Sequence, residues 1–350
     1  MGAGAGLHGS MTNLPLSILD QTPIGAGSNA ISALAETVEL ARLGDALGYR
    51  RFWVAEHHGS PTFAGAAPEV LIPALAMATT RITLGAGGVM LPHYSPYKVA
   101  ECFSVAAGLA PGRIDLGLGR ATGSDGRAAL ALQRDRRSRM GYSDFDAQLG
   151  ELAAYLDAKD HFPTDHPFAA LRRHLPHGGR PPTLWILGTS QDSARLAGLR
   201  GLPYAIADFI NPHGSSLARL YRECFRPTDA LPEPYVIVAT PAICAREHGR
   251  AADLRYPFLM VLARLFRGEV VAVPGIGEAK EWFKRNPTDI GSIMNLTFGD
   301  PVEVREGLLA IVDEYGADEL MISNVVPERD ARLESYRLIF EAFQPLEGIP

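Results

Sequence analysis

The feature that most constrains this chain is a rhythm. Short apolar, β-branched runs alternate with longer segments of helical period along most of its 350 residues. Eight runs read as strands: 15–20 (PLSILD), 50–56 (RRFWVAE), 81–91 (RITLGAGGVML), 111–119 (PGRIDLGLG), 183–190 (TLWILGTS), 202–209 (LPYAIADF), 234–244 (PYVIVATPAIC) and 317–323 (ADELMIS). Amphipathic segments at 28–49, 68–80, 96–110, 144–158, 190–201, 215–225, 301–316 and 328–343 predict helices around them. Such alternation favours parallel strands joined by right-handed crossovers. Two closures compete, an open doubly wound sheet and a closed eight-unit barrel. A dinucleotide-binding sheet expects GxGxxG in its first strand–helix turn. That turn is DQTPIGAGSNA, with Gly25 and Gly27 but no glycine three residues later. Element count therefore favours a (β/α)8 TIM barrel with insertions.

Local signals set further expectations. In the first helix Ile31, Leu34, Val38, Ala41 and Leu47 recur at near-helical spacing, and Ser28 is the expected cap. Pro73 marks a kink or a break in the second helix. Helical patterns at 252–268, split at Pro257, and at 277–286 lie in a less regular stretch. At 47% hydrophobic and 21% charged, the chain can bury a large core. One barrel domain is expected over 14–345, with excursions at about 121–180 and 245–295. Neither excursion has the apolar periodicity for a core of its own. The glycine-rich residues 1–13 read as a disordered leader or tag remnant, without the pattern of a signal peptide. No apolar run is long enough to span a membrane.

Three widely spaced cysteines, Cys102, Cys224 and Cys244, carry no CxxC pair, which argues against a disulfide scaffold and for a cytoplasmic protein with reduced thiols. A formal charge of −6 and no basic block give no reason to expect nucleic acid. No GKS/T loop or GxSxG motif occurs, which weakens P-loop and α/β-hydrolase readings.

In a barrel, chemistry sits beyond the C-terminal strand ends. That selects Asp20, Glu56, His57, His58, the glycines of 85–88, Arg120, Ser190 and Asp208. The run WVAEHH (53–58) raises a metal site first, but adjacent histidines on an extended chain point to opposite sides. One can face the mouth while the other supports a loop. A general base or a hydrogen-bond partner for a cofactor suits imidazole better. The plain alternative is two histidines satisfied by backbone at a strand end. GAGGVMLP (85–92) allows either a tight turn or close approach of a flat ligand. Arg120 offers a fork suited to phosphate. Thr189, Ser190 and Ser193 open a helix, which makes either an anion site or an ordinary cap. Tyr94, Phe209, Trp282 and Phe298 are pocket candidates, although aromatic residues in a barrel more often belong to its core. Cys102 in an apolar helix reads as core.

Five stretches, taken in order, resemble the bacterial luciferase-like, flavin-dependent monooxygenases, in the FMN-preferring branch. They are ALGYRRFWVAEHH, TTRITLGAGGVMLPHYSPYKVAE, LAPGRIDLGLGRA, WILGTSQDSARLAGLRGLPYA and DPVEVREGLLAIVDEYGADELMI. The resemblance spans roughly 15–340 and is weakest at 125–180 and 245–295. It implies a dimeric barrel that uses reduced FMN and O2 to oxidise a small organic substrate through a C4a-peroxyflavin. It implies a paired-donor oxygenase, supplied by an NAD(P)H:flavin reductase and assembled as a homodimer. Residue by residue, it makes His57 catalytic and places a cis peptide at Gly87-Gly88. It assigns Arg120, Ser190 and Ser193 to the flavin phosphate, and Thr189 to the place of a luciferase glutamate. No metal is implied. Gly119 replaces a family cysteine, and Asp208-Phe209 departs from the usual wall, so the pocket chemistry is expected to differ. Two flavin alternatives are a deazaflavin-dependent oxidoreductase and a non-enzymatic flavin-binding protein; a metal-dependent barrel hydrolase is a third.

Overall fold

A computed structural model describes residues 14–120, 126–132, 144–157, 159, 161–162, 165–176, 179–211, 214–287, 294 and 296–345. The expected leader at 1–13 and parts of both excursions lie outside the described residues.

The strands are β1 (Leu16–Asp20), β2 (Arg51–Val54), β3 (Thr83–Met90), β4 (Ile114–Gly119), β5 (Thr183–Leu187), β6 (Tyr204–Ala207), β7 (Val236–Cys244), β8 (Thr297–Gly299) and β9 (Glu319–Ser323). Their order is β6-β5-β4-β3-β2-β1-β9-β7-β8, and a further β6–β7 pairing closes the ring. Every pairing is parallel. Among the described residues eight strands make the barrel, and all eight were legible as apolar runs. The short β8 was not expected. It pairs with Ala242–Cys244, past the part of β7 that pairs with β9. At three residues it is too short to show periodicity.

Helices α1 (Ala30–Leu47), α2 (Pro68–Ala78), α3 (Pro96–Leu109), α4 (Gly126–Leu132), α5 (Phe145–Leu156), α6 (Gln191–Arg200) and α7 (Ser215–Cys224) accompany the first six strands. Then come α8 (His248–Leu254), α9 (Tyr256–Leu265), α10 (Ile276–Arg285), α11 (Pro301–Tyr315) and α12 (Arg329–Ala342). The break expected at Pro257 falls between α8 and α9, with the proline in the first turn of α9. Pro73 lies inside a single α2 rather than dividing it.

Two expectations for α1 are corrected. Asn29, not Ser28, is its cap, its side chain accepting from the Ile31 and Ser32 amides at 2.9 and 3.1 Å. The inward face is Ala33, Thr37, Leu40, Ala41 and Gly44, whereas Ile31 is 81% exposed and Leu34 also faces out. Close approach to the sheet decides this. A Cβ on Gly44 would lie 3.1 Å from Ile18 Cδ1 and 3.3 Å from Ile82 Cδ1. A small residue is therefore required at Gly44, while Leu40 fills the core and Val38 and Leu47 pack at its edge.

The barrel lumen is layered. Across the N-terminal strand ends, Arg51 donates to Asp115 at 2.7 Å and to both carboxylate oxygens of Glu319 at 3.1 and 3.2 Å. Ser17 and Tyr235 also donate to Glu319. Beyond this polar floor, Leu19, Trp53, Ala55, Trp185, Ala205, Ile237, Ala239 and Met321 pack together. In the second excursion, α9 packs through Phe258 and Val261 into a cluster that reaches Phe63 and Phe209, and through Leu259 onto Ala279 and Phe283 of α10. Among the described residues no helix is long and apolar enough to cross a membrane.

Candidate active site

A cavity of about 700 Å³ opens at the C-terminal strand ends. It is lined by His57, Gly87, Gly88, Arg120, Thr189, Ser190 and Ser193, the seven residues to which the family resemblance gives a place in the site. Glu56 joins them, but Asp20, His58 and Asp208 are not in the wall. Asp20 instead accepts from Thr37 and from the Thr22 amide. Asp208 accepts from Tyr315 Oη at 2.6 Å. Standing at a strand's end places a residue near the rim, but side-chain direction decides whether it faces inward.

The histidine pair divides as extended geometry requires. His57 faces the cavity, while His58 Nε2 lies 2.7 Å from Glu56 Oε1. Tyr94 donates to the same oxygen at 2.9 Å, and the Met90 amide donates to Oε2 at 3.2 Å. Glu56 thus ties the end of β2 to β3 and to the segment after it. Burial, then the nearby Glu56 charge, holds the Tyr94 phenol well above its usual range. The His57 amide donates to Gly65 O at 2.7 Å, and its ring lies 4.6 Å from that of Phe63. Burial, with His58 beside it, lowers its pKa to about 4. The imidazole is therefore neutral near pH 7 and can exchange a proton at one ring nitrogen. Its buried Nδ1 has no hydrogen-bond partner among the described residues. An orphaned buried nitrogen is costly and calls for a ligand.

The Gly87-Gly88 peptide is cis, where the resemblance placed it. The β3–β4 register shifts here, between Ala86 and Val89. A Cβ on Gly88 would sit 2.7 Å from Gly117 O, and one on Gly87 would meet Leu19 Cδ1 at 2.7 Å. The backbone itself therefore forms this part of the wall.

Arg120 follows β4 directly and donates to Ser190 Oγ at 3.4 Å. Ser190 caps α6 by accepting from the Ser193 amide, and Ser193 Oγ lies 3.2 Å from Ser190 Oγ. Ser193 also lies 3.2 Å from Tyr204 Oη, whose proton goes to Gly188 O at 2.8 Å. Burial pushes the Tyr204 phenol up to about 12. A Cβ at Gly188 would overlap Ser193 Oγ, so glycine there admits the serine. A guanidinium, two hydroxyls and a helix N-terminus converge, which is the donor set for a phosphate. The remaining wall is apolar, with Leu19, Trp53, Met90, Leu187 and Met321 offering a surface for a flat ring system. The residues present thus fit a flavin mononucleotide. The phosphate set and the apolar wall suit its two ends, and His57 Nδ1 lacks a partner.

Of the aromatic candidates, Phe209 lines the cavity and Tyr94 stands behind Glu56. Trp282 packs on Phe283, and Phe298 on His248. Sequence reasoning missed Gln21, which lines the cavity and donates to Ser323 Oγ at 3.1 Å. It follows the first strand by one residue, so the strand-end rule would have found it. Among the described residues no group of three or more His, Cys, Asp or Glu side chains is arranged to hold a metal ion.

Comparison with known proteins gives a consistent result. The family model described as luciferase-like monooxygenase matches residues 14–319. A luciferase-like monooxygenase of Escherichia coli strain K12 is 38% identical over 339 residues, covering 96% of this chain and 98% of its own. The crystal structure of apo-MsnO8 superposes with a TM-score of 0.85 at 36% identity, covering 95% of this chain and 98% of the other. The oxygenating constituent of 3,6-diketocamphane monooxygenase from Pseudomonas putida, in complex with FMN, shares the fold. Its TM-score is 0.70 at 18% identity, with 96% and 99% covered.

Proposed function

The chain belongs to the luciferase-like family of flavin-dependent monooxygenases, and from that premise we propose that it uses reduced FMN and O2 to oxidise a small, uncharged organic molecule. The observation that carries this reading is the meeting of Arg120, Ser190 and Ser193 in one cavity with His57 and the Gly87-Gly88 backbone. Bound FMN would supply the redox chemistry, activating oxygen at its C4a position.

The protein's own residues have distinct tasks. Arg120 and the α6 N-terminus hold the phosphate. Ser190 and Ser193 keep that end of the site shaped through their mutual hydrogen bonds. Neutral His57 accepts or returns a proton at the reacting end; its depressed pKa keeps the ring unprotonated at rest and makes it a ready donor once it has taken a proton. Glu56 holds the strand end from which His57 projects. Phe63 and Phe209, packed with Phe258 and Val261 of α9, keep water from that region.

Charge narrows the substrate. Among the described residues lining the cavity, Arg120 is the lone permanent cation, and the phosphate claims it. A sulfonate or carboxylate substrate would find no counter-charge and would meet Glu56. Uncharged aldehydes, ketones or aromatic compounds match the apolar wall. Reduced flavin arriving from an NAD(P)H:flavin reductase, a homodimeric state and one barrel domain over 14–345 complete the proposal.

Binding titrations test the phosphate assignment. Wild type should prefer FMN to riboflavin, and Arg120→Ala should abolish that preference while still binding riboflavin. Equal preference in both proteins would remove Arg120 from the site. Turnover with reduced FMN under oxygen, read by product mass, should favour neutral substrates over sulfonates.

A further inference from the structure

We propose that Trp53, Trp185 and Tyr235 form a hole-transfer chain that carries one-electron oxidising equivalents out of the cavity to the opposite, N-terminal end of the barrel. The chain rests on the FMN reading only for its oxidant, an activated flavin or the oxygen species that escapes it when no substrate is taken. Its geometry stands apart. Trp53 lines the cavity. Its ring centroid lies 5.2 Å from that of Trp185, which lies 5.9 Å from that of Tyr235. Trp53 and Trp185 are 1% and 2% exposed, while Tyr235 is partly exposed. The series therefore begins in the cavity and ends where a dissolved reductant can reach it.

Each ring has surroundings that suit its place. The Trp53 indole N–H donates to Asp115 Oδ2 at 3.0 Å, and a carboxylate there stabilises positive charge on the ring. Tyr235 Oη donates to Glu319 Oε2 at 2.7 Å, so a proton acceptor is already in place when the phenol loses an electron. Burial and the Glu319 charge keep that phenol protonated until then. Trp185 differs from both. The Arg51 guanidinium stands 4.7 Å over its ring, and its Nε1 has no hydrogen-bond partner among the described residues. Positive charge is disfavoured on Trp185, which makes it a relay between two better resting places.

The electron count closes. The oxidant in the cavity gains one electron. Tyr235 loses one electron through the two indoles, and its phenolic proton moves to Glu319. A thiol-class reductant in solution then gives Tyr235 an electron and becomes a thiyl radical, its own proton passing to water, while buried Glu319 returns its proton to the phenolic oxygen. An oxidising equivalent that found no substrate thus leaves the site without destroying His57 or Met90 beside it.

Two experiments test this, one of them without the cofactor. With oxidised FMN bound, a light flash makes the flavin a one-electron oxidant of its neighbours. Wild type should give a tryptophan radical that converts to a tyrosyl radical, seen by transient absorption and by electron paramagnetic resonance. Tyr235→Phe should retain the tryptophan radical and lose the tyrosyl signal, and Trp185→Phe should lose the conversion. In the cofactor-free protein carrying Trp282→Phe, azide radicals from pulse radiolysis should oxidise tryptophan. The same conversion should follow at a rate independent of protein concentration, and it should vanish in the Tyr235→Phe variant. Failure of FMN to bind would sink the functional reading and leave this second arm standing. A tyrosyl radical that persists in Tyr235→Phe, or a conversion unchanged by Trp185→Phe, would overturn the chain. Near-ultraviolet circular dichroism of each variant separates a lost pathway from a lost fold, and Tyr235→Phe alone, missing one hydroxyl, is sufficient to decide.

Discussion

His57 shows what a single residue gains from its surroundings. An imidazole near the surface titrates close to pH 6.5, but here burial lowers that to about 4. The sign for stability follows from which state binds more protons. Between about 6.5 and about 4 the unfolded chain is protonated at His57 and the folded one is not. Folding stability at this site is therefore full above that window and falls as pH drops through it, levelling off below. Urea denaturation across this pH range should show a shallower pH dependence in His57→Gln than in wild type. Equal slopes would mean that His57 is not held neutral. The residue type and position were legible in WVAEHH, and so was the opposite facing of the two histidines. The lowered pKa was not, because desolvation comes from Phe63 and the walls of a folded cavity. Asp20 and Asp208 mark the limit of such reading, since both occupy strand ends yet turn to Thr37 and Tyr315.

At the scale of elements, α6 and α1 make a useful pair. Each is opened by a side chain that accepts from backbone amides, Ser190 in one and Asn29 in the other. Removing either cap should cost about 1 kcal/mol of stability. Only Ser190 also faces the cavity. Ser190→Ala should lower both thermal stability and FMN affinity, whereas Asn29→Ala should lower stability alone. Calorimetric unfolding paired with FMN titration checks this, and an equal loss of FMN affinity in both variants would reduce Ser190 to an ordinary cap. The cap of α6 was readable because serine stands directly between an apolar strand and a helical pattern. The α1 face was not, because periodicity identifies an apolar stripe without revealing where the sheet comes closest, at Gly44, and so which side of the stripe turns inward.

For the whole molecule, the polar floor ties β2, β4 and β9 together across the lumen. Arg51 is nearly buried between Asp115 and Glu319, and both carboxylates pull its pKa upward against the cost of burial. Replacing it with leucine leaves buried Asp115 without its counter-charge and Glu319 with only the longer 3.5 Å pair to Arg50, a loss of about 3 kcal/mol. Urea unfolding of Arg51→Leu should show that loss, and a change under 1 kcal/mol would mean that water reaches the floor readily. None of these three residues stood out in the chain, because a charged residue at the start of an apolar strand looks like an ordinary boundary.

The chain order of apolar and amphipathic segments determined the architecture. Eight strand–helix units with chirally constrained crossovers leave few closures, and the motifs at the C-terminal strand ends identified the residues that share one cavity. What the order could not determine is anything that depends on distance across the barrel. Which strand-end side chains turn inward, which helix face meets the sheet, how far burial lowers the His57 pKa and how Trp53, Trp185 and Tyr235 line up were all decided by the tertiary structure. The reason is physical. Periodicity is a local property of neighbouring residues, whereas desolvation, close packing and ring-to-ring contact arise only when segments hundreds of residues apart are brought within a few ångströms.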